Sequence, residues 1–206
     1  GADKWYKNNS KDPNSLSNDQ VFSIYRDRKG RMWLGTFGGG LNLAVKTKDG
    51  YQFRHFLQDN YGEKRIRVIE EDKNGRMWVG TNNGIYIFHP DSLIHAPKNY
   101  ILYNHVNETF PSNEIRCLVN DHEGNMWIGT TGTGFAICNP GDDYQHLTFD
   151  CYSMKDGLPN GVIQSIVEDQ DHKMWIATEY GISRFTPATK QIENYYFSSY
   201  TLGNVY

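Results

Sequence analysis

Four segments of the chain align on one another without a gap: VFSIYRDRKGRMWLGT from Val21, IRVIEEDKNGRMWVGT from Ile66, IRCLVNDHEGNMWIGT from Ile115 and IQSIVEDQDHKMWIAT from Ile163. Their tryptophans, Trp33, Trp78, Trp127 and Trp175, are spaced by 45, 49 and 48 residues. Six positions before each stands an aspartate (Asp27, Asp72, Asp121, Asp169), and three positions after each stands a threonine. A period of this length means that each copy is one supersecondary unit, which buries its apolar faces by stacking on its neighbours.

Each copy reads as four short strands. Val21 to Arg26 is apolar and β-branched, and Asp27-Arg28-Lys29-Gly30 is a turn, with a carboxylate to accept backbone N–H bonds and a glycine that tolerates positive φ. Met32 to Thr36 returns, FGGG turns again, Leu41 to Val45 runs out, and Tyr51 to Phe56 alternates polar and apolar. Glycines at 40, 84, 134 and 181 mark the second turn in each copy. Four antiparallel strands in about 45 residues make one blade of a propeller. The expected fold is therefore all-β, a β-propeller of four four-stranded blades at about 16–57, 64–106, 113–154 and 161–198. No copy holds a helix-length 3.6-residue pattern, which excludes an α-solenoid, and a β-sandwich would not repeat one Trp motif at this period. The fourth copy carries His172 where the others have Gly30, Gly75 and Gly124, so its turn is expected to be of a different type. It also has Ala177 in place of a glycine.

Lys4-Trp5-Tyr6 is similar to the outermost strand at Phe53 to Phe56, so residues 1–7 are expected to be the outer strand of a preceding blade. Residues 202–206 (LGNVY) are similar to the start of an innermost strand and are expected to begin a following one. On this reading the chain is a piece of a larger propeller. Four blades in an open arc expose two apolar faces. Self-association or contact with further blades is expected, with closure into a strained four-bladed ring as the other outcome.

Composition narrows the function classes. Aromatics make up 14% of the chain, with 20 glycines and only 7 prolines, which suits many pleated surfaces and tight turns. The formal net charge is -3 with no basic run, so nucleic acid is not an expected partner. No stretch approaches the roughly 18 consecutive apolar residues of a membrane helix, and no basic start followed by an apolar core is legible. Three cysteines (Cys117, Cys138, Cys151) form no C-x-x-C pair, and no histidines stand at metal-ligand spacing. No cofactor or metal is expected. No phosphate-binding loop or Ser-His-Asp constellation is visible, because FGGG lacks the Lys-Ser/Thr that follows a phosphate loop.

The motif, apolar-x-x-Ile-x-x-Asp-x-x-Gly-x-Met-Trp-apolar-Gly-Thr with a later Gly and Leu or Ile, resembles the two-component regulator propeller repeat. The resemblance runs from about Leu16 to Phe197. It implies the periplasmic sensor region of a hybrid two-component histidine kinase, whose usual ligands are oligosaccharides and whose membrane helix, kinase and regulator parts lie elsewhere. It makes a ligand-sensing module the leading reading, a dimerisation scaffold without a ligand the second, and a propeller lyase or glycosidase the third. This stretch by itself is not expected to be an enzyme.

A residue required in every blade is a packing residue, so the four tryptophans are expected in the core rather than on sugar rings. The four aspartates are expected to make turns. Function should lie where the copies differ. The loops between second and third strands offer Phe37, Asn82 and Asn83, Thr131 and Thr133, and Glu179 and Tyr180. The links between blades offer Tyr61, Arg65, Asn107, Glu108, Lys155 and Asp156. At the second position of the aligned segments stand Phe22, Arg67, Arg116 and Gln164. Arg67 and Arg116 suit an acidic sugar or a sulfate through forked hydrogen bonds; the plainer reading pairs them with carboxylates such as Glu114.

Overall fold

The computed structural model describes residues 3–196. The first blade consists of β1 (Val21–Arg26), β2 (Met32–Thr36), β3 (Leu41–Thr47) and β4 (Gly50–Phe56). The second consists of β5 (Ile66–Glu71), β6 (Met77–Thr81), β7 (Gly84–Phe88) and β8 (Ile101–Tyr103), with a short helix α1 (Pro90–His95) between its last two strands. The third contains β9 (Ile115–Asn120), β10 (Met126–Thr130), β11 (Phe135–Cys138) and β12 (Asp150–Tyr152). The fourth contains β13 (Ile163–Glu168), β14 (Met174–Thr178), β15 (Gly181–Thr186) and β16 (Gln191–Tyr195). Each set is one antiparallel sheet in chain order. The first strands of successive sheets, β1, β5, β9 and β13, pack one on the next. No comparable packing joins β13 to β1 among the described residues, so the blades form an open arc and not a four-bladed ring.

The repeated aspartate and tryptophan are one device. In every blade the turn carboxylate accepts two backbone N–H bonds and a third bond from the indole Nε1, at 2.9 Å (Trp33), 2.8 Å (Trp78), 2.9 Å (Trp127) and 2.7 Å (Trp175). The turn thereby fixes the ring that the blade presents to its neighbour. Burial opposes charge on Asp27, but bonds from Trp33 and Arg31 outweigh it and hold the carboxyl below its usual range. At Asp169 the Trp175 bond is the largest influence, again downward. The repeated threonine closes the other turn: Thr36, Thr81, Thr130 and Thr178 donate Oγ1 to the carbonyls of Gly40, Gly84, Gly134 and Gly181.

Three cores lie between blades. Trp33 packs with Ile66, Ile69, Met77 and Val79; Trp78 with Ile115, Leu118, Met126 and Ile128; and Trp127 with Ile163, Ile166, Met174 and Ile176. The glycine after the second strand follows from this contact. A Cβ on Gly80 would stand 2.8 Å from Ile115 Cγ2, and one on Gly129 2.8 Å from Ile163 Cγ2. Ala177 stands at this position in the fourth copy, whose strands pack on no further blade among the described residues. Cys117 and Cys138 behave as small hydrophobes, since burial pushes both thiols up to about 12.

One expectation is corrected. The turn holding His172 is not of another type: His172 takes φ 59° and donates its N–H to the Asp169 carbonyl at 3.1 Å, as Gly30, Gly75 and Gly124 do in their turns. The Asp169 carboxylate, bonded to the N–H groups of Asp171 and Lys173, holds the backbone in a shape that glycine would adopt freely. Lys4-Trp5-Tyr6 forms no regular strand. Tyr6 instead lies edge-on against Tyr51 and Phe53 of β4, at 6.1 and 5.6 Å between ring centres. The segment expected to open a following blade, 202–206, lies outside the described residues.

Helix α1 was not legible from the repeat. His89 Nδ1 caps it by accepting the Asp91 N–H at 3.2 Å, and Pro90 opens it. Its Asp91 takes Lys29 at 2.5 Å and Arg31 at 2.6 Å from the first blade, and these two cations draw its carboxyl down to about 2.

Candidate functional site

The four residues at the second position of the aligned segments share a backbone feature that spacing alone does not reveal. In β1 the register steps from Val21↔Thr36 to Ser23↔Gly35, leaving Phe22 without a partner on β2. The same step leaves out Arg67 in β5, Arg116 in β9 and Gln164 in β13. Each is the extra residue of a β-bulge. A bulge re-aims one side chain while the rest of the strand keeps its core face buried. Four successive blades thus present Phe22, Arg67, Arg116 and Gln164 from equivalent points at one rim of the arc.

The loops at this rim are braced. Phe37 bridges to Arg65 and Thr131 to Val162, so the loops after the second strands of the first and third blades are tied to the segments entering the next blade. Gly38 and Gly40 donate to the Lys64 carbonyl at 2.8 and 3.0 Å, and Gly132 and Gly134 to that of Gly161 at 3.0 and 2.9 Å. Such bracing holds the side chains in place before any ligand arrives.

At one end of the row the Phe22 and Phe37 rings stack 4.8 Å apart and 12° from parallel. The Arg67 guanidinium lies 4.8 Å over Phe37, and that of Arg65 lies 3.4 Å over Tyr61. At the other end Arg116 donates to Gln164 Oε1 at 2.8 Å, and Gln164 donates onward to Glu179 at 3.4 Å. Burial, then the neighbouring Arg116, lowers the pKa of Arg67, with Glu114 acting in the opposite sense. Neither Arg67 nor Arg116 forms an ion pair with any carboxylate among the described residues. Six buried side-chain polar atoms lack a hydrogen-bond partner among those residues, and four are here: Arg67 Nε, Asn82 Oδ1, Arg116 Nε and Thr131 Oγ1. Buried polar atoms of this kind are ordinarily met by water or by a ligand, so hydrogen-bonding capacity is concentrated at this rim.

The remaining candidates divide. Tyr180 is exposed and tilts against Tyr196 at 6.1 Å. Asn83 donates to the Tyr86 hydroxyl at 2.7 Å, and Thr133 meets Thr130 inside its own turn. Asn107 and Asp156 are turn-makers, bonding to Leu102 and to Ser153, while Glu108 takes φ 59° in a tight turn. The structure thus brings Phe22, Phe37, Arg67, Arg116, Gln164 and Glu179 to one rim, while these linker residues spend their polar groups on their own turns.

Braced loops and bulged inner strands around a stack of four antiparallel sheets define a β-propeller with its variable side chains on one rim. The chain is built from two-component regulator propeller repeats, the family whose model matches residues 15–38, 60–83, 109–132 and 157–180. Among solved structures it is similar to the extracellular domain of the hybrid two-component system BT4673 from B. thetaiotaomicron, with a TM-score of 0.74 and 21% identity over 95% of this chain and 26% of that one. It is also similar to the extracellular domain of BT3049 from the same organism, with a TM-score of 0.52 and 24% identity over 88% of this chain and 29% of that one. The Pseudomonas aeruginosa periplasmic gluconolactonase shares the fold at a TM-score of 0.54 and 9% identity, over 83% of this chain and 55% of that one. At these identities the likeness is one of fold. The chain spans about a quarter of the length of the two-component domains. No curated protein matches it.

Proposed function

We propose that this chain is an extracytoplasmic, non-catalytic sensing module of a two-component signalling protein, and that its rim reads an anionic oligosaccharide. The observation that carries the ligand class is the pair of bulge-mounted guanidiniums, Arg67 and Arg116, without carboxylate partners among the described residues, the first of them over the Phe37 ring that stacks on Phe22. Guanidinium forks suit uronate or sulfate groups, and exposed ring faces suit the apolar faces of sugars. The family's name and the extracellular origin of the two-component relatives support the signalling role and a periplasmic location.

Isothermal titration with uronate-containing or sulfated oligosaccharides is expected to give saturable binding that neutral oligosaccharides lack. Replacing Arg67 and Arg116 together with alanine should weaken it by about 1.5–3 kcal/mol per lost charged contact, a loss of tenfold or more. Equal binding of neutral sugars, or an unaffected double variant, would sink the ligand class.

A second reading, self-association, rests on a separate observation. Ile24 of the first blade aligns with the buried Ile69, Leu118 and Ile166, yet is 62% exposed, and Val167 on the last blade is 60% exposed. The last blade also presents Trp175, the residue that packs on the next blade at each of the three junctions. The natural occupant is a second copy, with the Trp175 face of one protomer on the Ile24 face of the other. Light scattering should report a dimer that Ile24→Lys converts to monomer; a monomer at all concentrations would remove this reading.

A further inference from the structure

The end of the arc opposite the rim carries the turns between first and second strands, and these touch across blade junctions. At the first junction Arg28 pairs with Glu71, the last residue of β5. At the third, the aligned residues are His122 and Glu168, and they pair likewise. A salt bridge would need only these two. The fourth blade adds His172, in the position that is glycine in every other copy, held at φ 59°. Its Nδ1 lies 3.0 Å from the same Glu168 oxygen that His122 Nδ1 approaches, and the two imidazoles stack 3.6 Å apart.

Two imidazole nitrogens and a carboxylate oxygen therefore converge, all within 4.8 Å of one another. Metal–ligand bonds of about 2.0–2.1 Å place tetrahedral ligands roughly 3.3 Å apart, so modest side-chain movement suffices. The backbone N–H of His122 donates to the other Glu168 oxygen at 2.8 Å, which orients the carboxylate toward the rings. The cluster opens on a pocket of about 360 Å³ whose wall adds Asp121, Glu123 and Asp171 against a single cation, Lys173.

We propose that His122, Glu168 and His172 form a binding site for one divalent transition-metal ion, of which Zn²⁺ fits the ligand set best, clamping the third and fourth blades together. Two imidazoles with one carboxylate suit zinc or nickel over magnesium, and three protein ligands leave a position for water.

The test uses the whole chain, free of any affinity tag and stripped with chelator. Titration with ZnCl₂ should show one saturable site, and the melting temperature should rise with zinc but not with magnesium. His172→Gly restores the residue the repeat carries elsewhere, so the metal-free variant should melt no lower than the parent. Its zinc affinity should fall at least about tenfold, as should that of Glu168→Gln. Unchanged zinc binding in His172→Gly would assign the ion to other histidines or to the cysteines and overturn the site. Absence of zinc binding by the parent chain would overturn it as well.

Discussion

Replacing Asp72 with alanine should destabilise the chain by about 3–5 kcal/mol, the loss expected when several buried donors are stranded at once. Asp72 is 1% exposed and accepts four hydrogen bonds. Its Oδ1 takes the N–H groups of Asn74 and Arg76, both at 2.9 Å. Its Oδ2 takes Trp78 Nε1 at 2.8 Å and the Tyr144 hydroxyl at 2.6 Å. Tyr144 belongs to the third blade, so one carboxylate ties a turn, an indole and the neighbouring blade together. Removing it leaves the Trp78 N–H and the Tyr144 O–H without that acceptor in a place water does not reach. Asp169 is the control, because it makes the same bonds within its own turn but receives none from another blade. Asp169→Ala should cost clearly less, because only one exposed turn loses its carboxylate. Urea unfolding midpoints compare the two; equal losses would mean that the cross-blade bond contributes nothing.

Trp127→Ala should cost about 3–5 kcal/mol, the range for a large buried aromatic. The ring is 1% exposed and sits 5.5 Å from both Phe135 and Phe185, the second of these in the fourth blade. It fills the junction with Ile163, Ile166 and Met174. Trp175→Ala alters the same motif position and should cost only about 1–2 kcal/mol. Trp175 is half-buried, and its partners are Tyr195, stacked at 5.6 Å, and Arg184, 5.6 Å over the ring. Those contacts are worth on the order of 0.5–1.5 kcal/mol each. Thermal melts of the two variants decide the matter. A Trp175→Ala loss as large as that of Trp127→Ala would show that the last face is packed in solution, as a second copy would pack it.

The blades were legible because each strand and turn is specified within about 45 residues of chain. Asp27, Gly30 and Trp33 act on one another across six positions, and alternation in Tyr51 to Phe56 needs only its own segment. The candidate rim was legible in outline, since Arg67, Arg116 and Gln164 break an otherwise constant pattern. Helix α1 was hidden because it lies between the repeats, where only His89-Pro90-Asp91 hints at a cap. The linker candidates Asn107 and Asp156 read in sequence as free polar groups, and the structure shows them bonded within their own turns.

Strand order, turn chemistry and the recurrence of one tryptophan with one aspartate in each blade are short-range consequences of residue type and spacing, and these could be read along the chain. The three-dimensional fold decided which identical residues are buried: Trp127 and Trp175 share a motif, and their fates differ because one has a neighbouring blade packed on it. It also decided that Phe22, Arg67, Arg116 and Gln164 sit on bulges, because a bulge is a relation between two strands and not a property of one. The meeting of His122 with Glu168 and His172 belongs there too. Residues 46 and 50 positions apart become neighbours only when successive blades stack, and no local pattern in the chain encodes that distance.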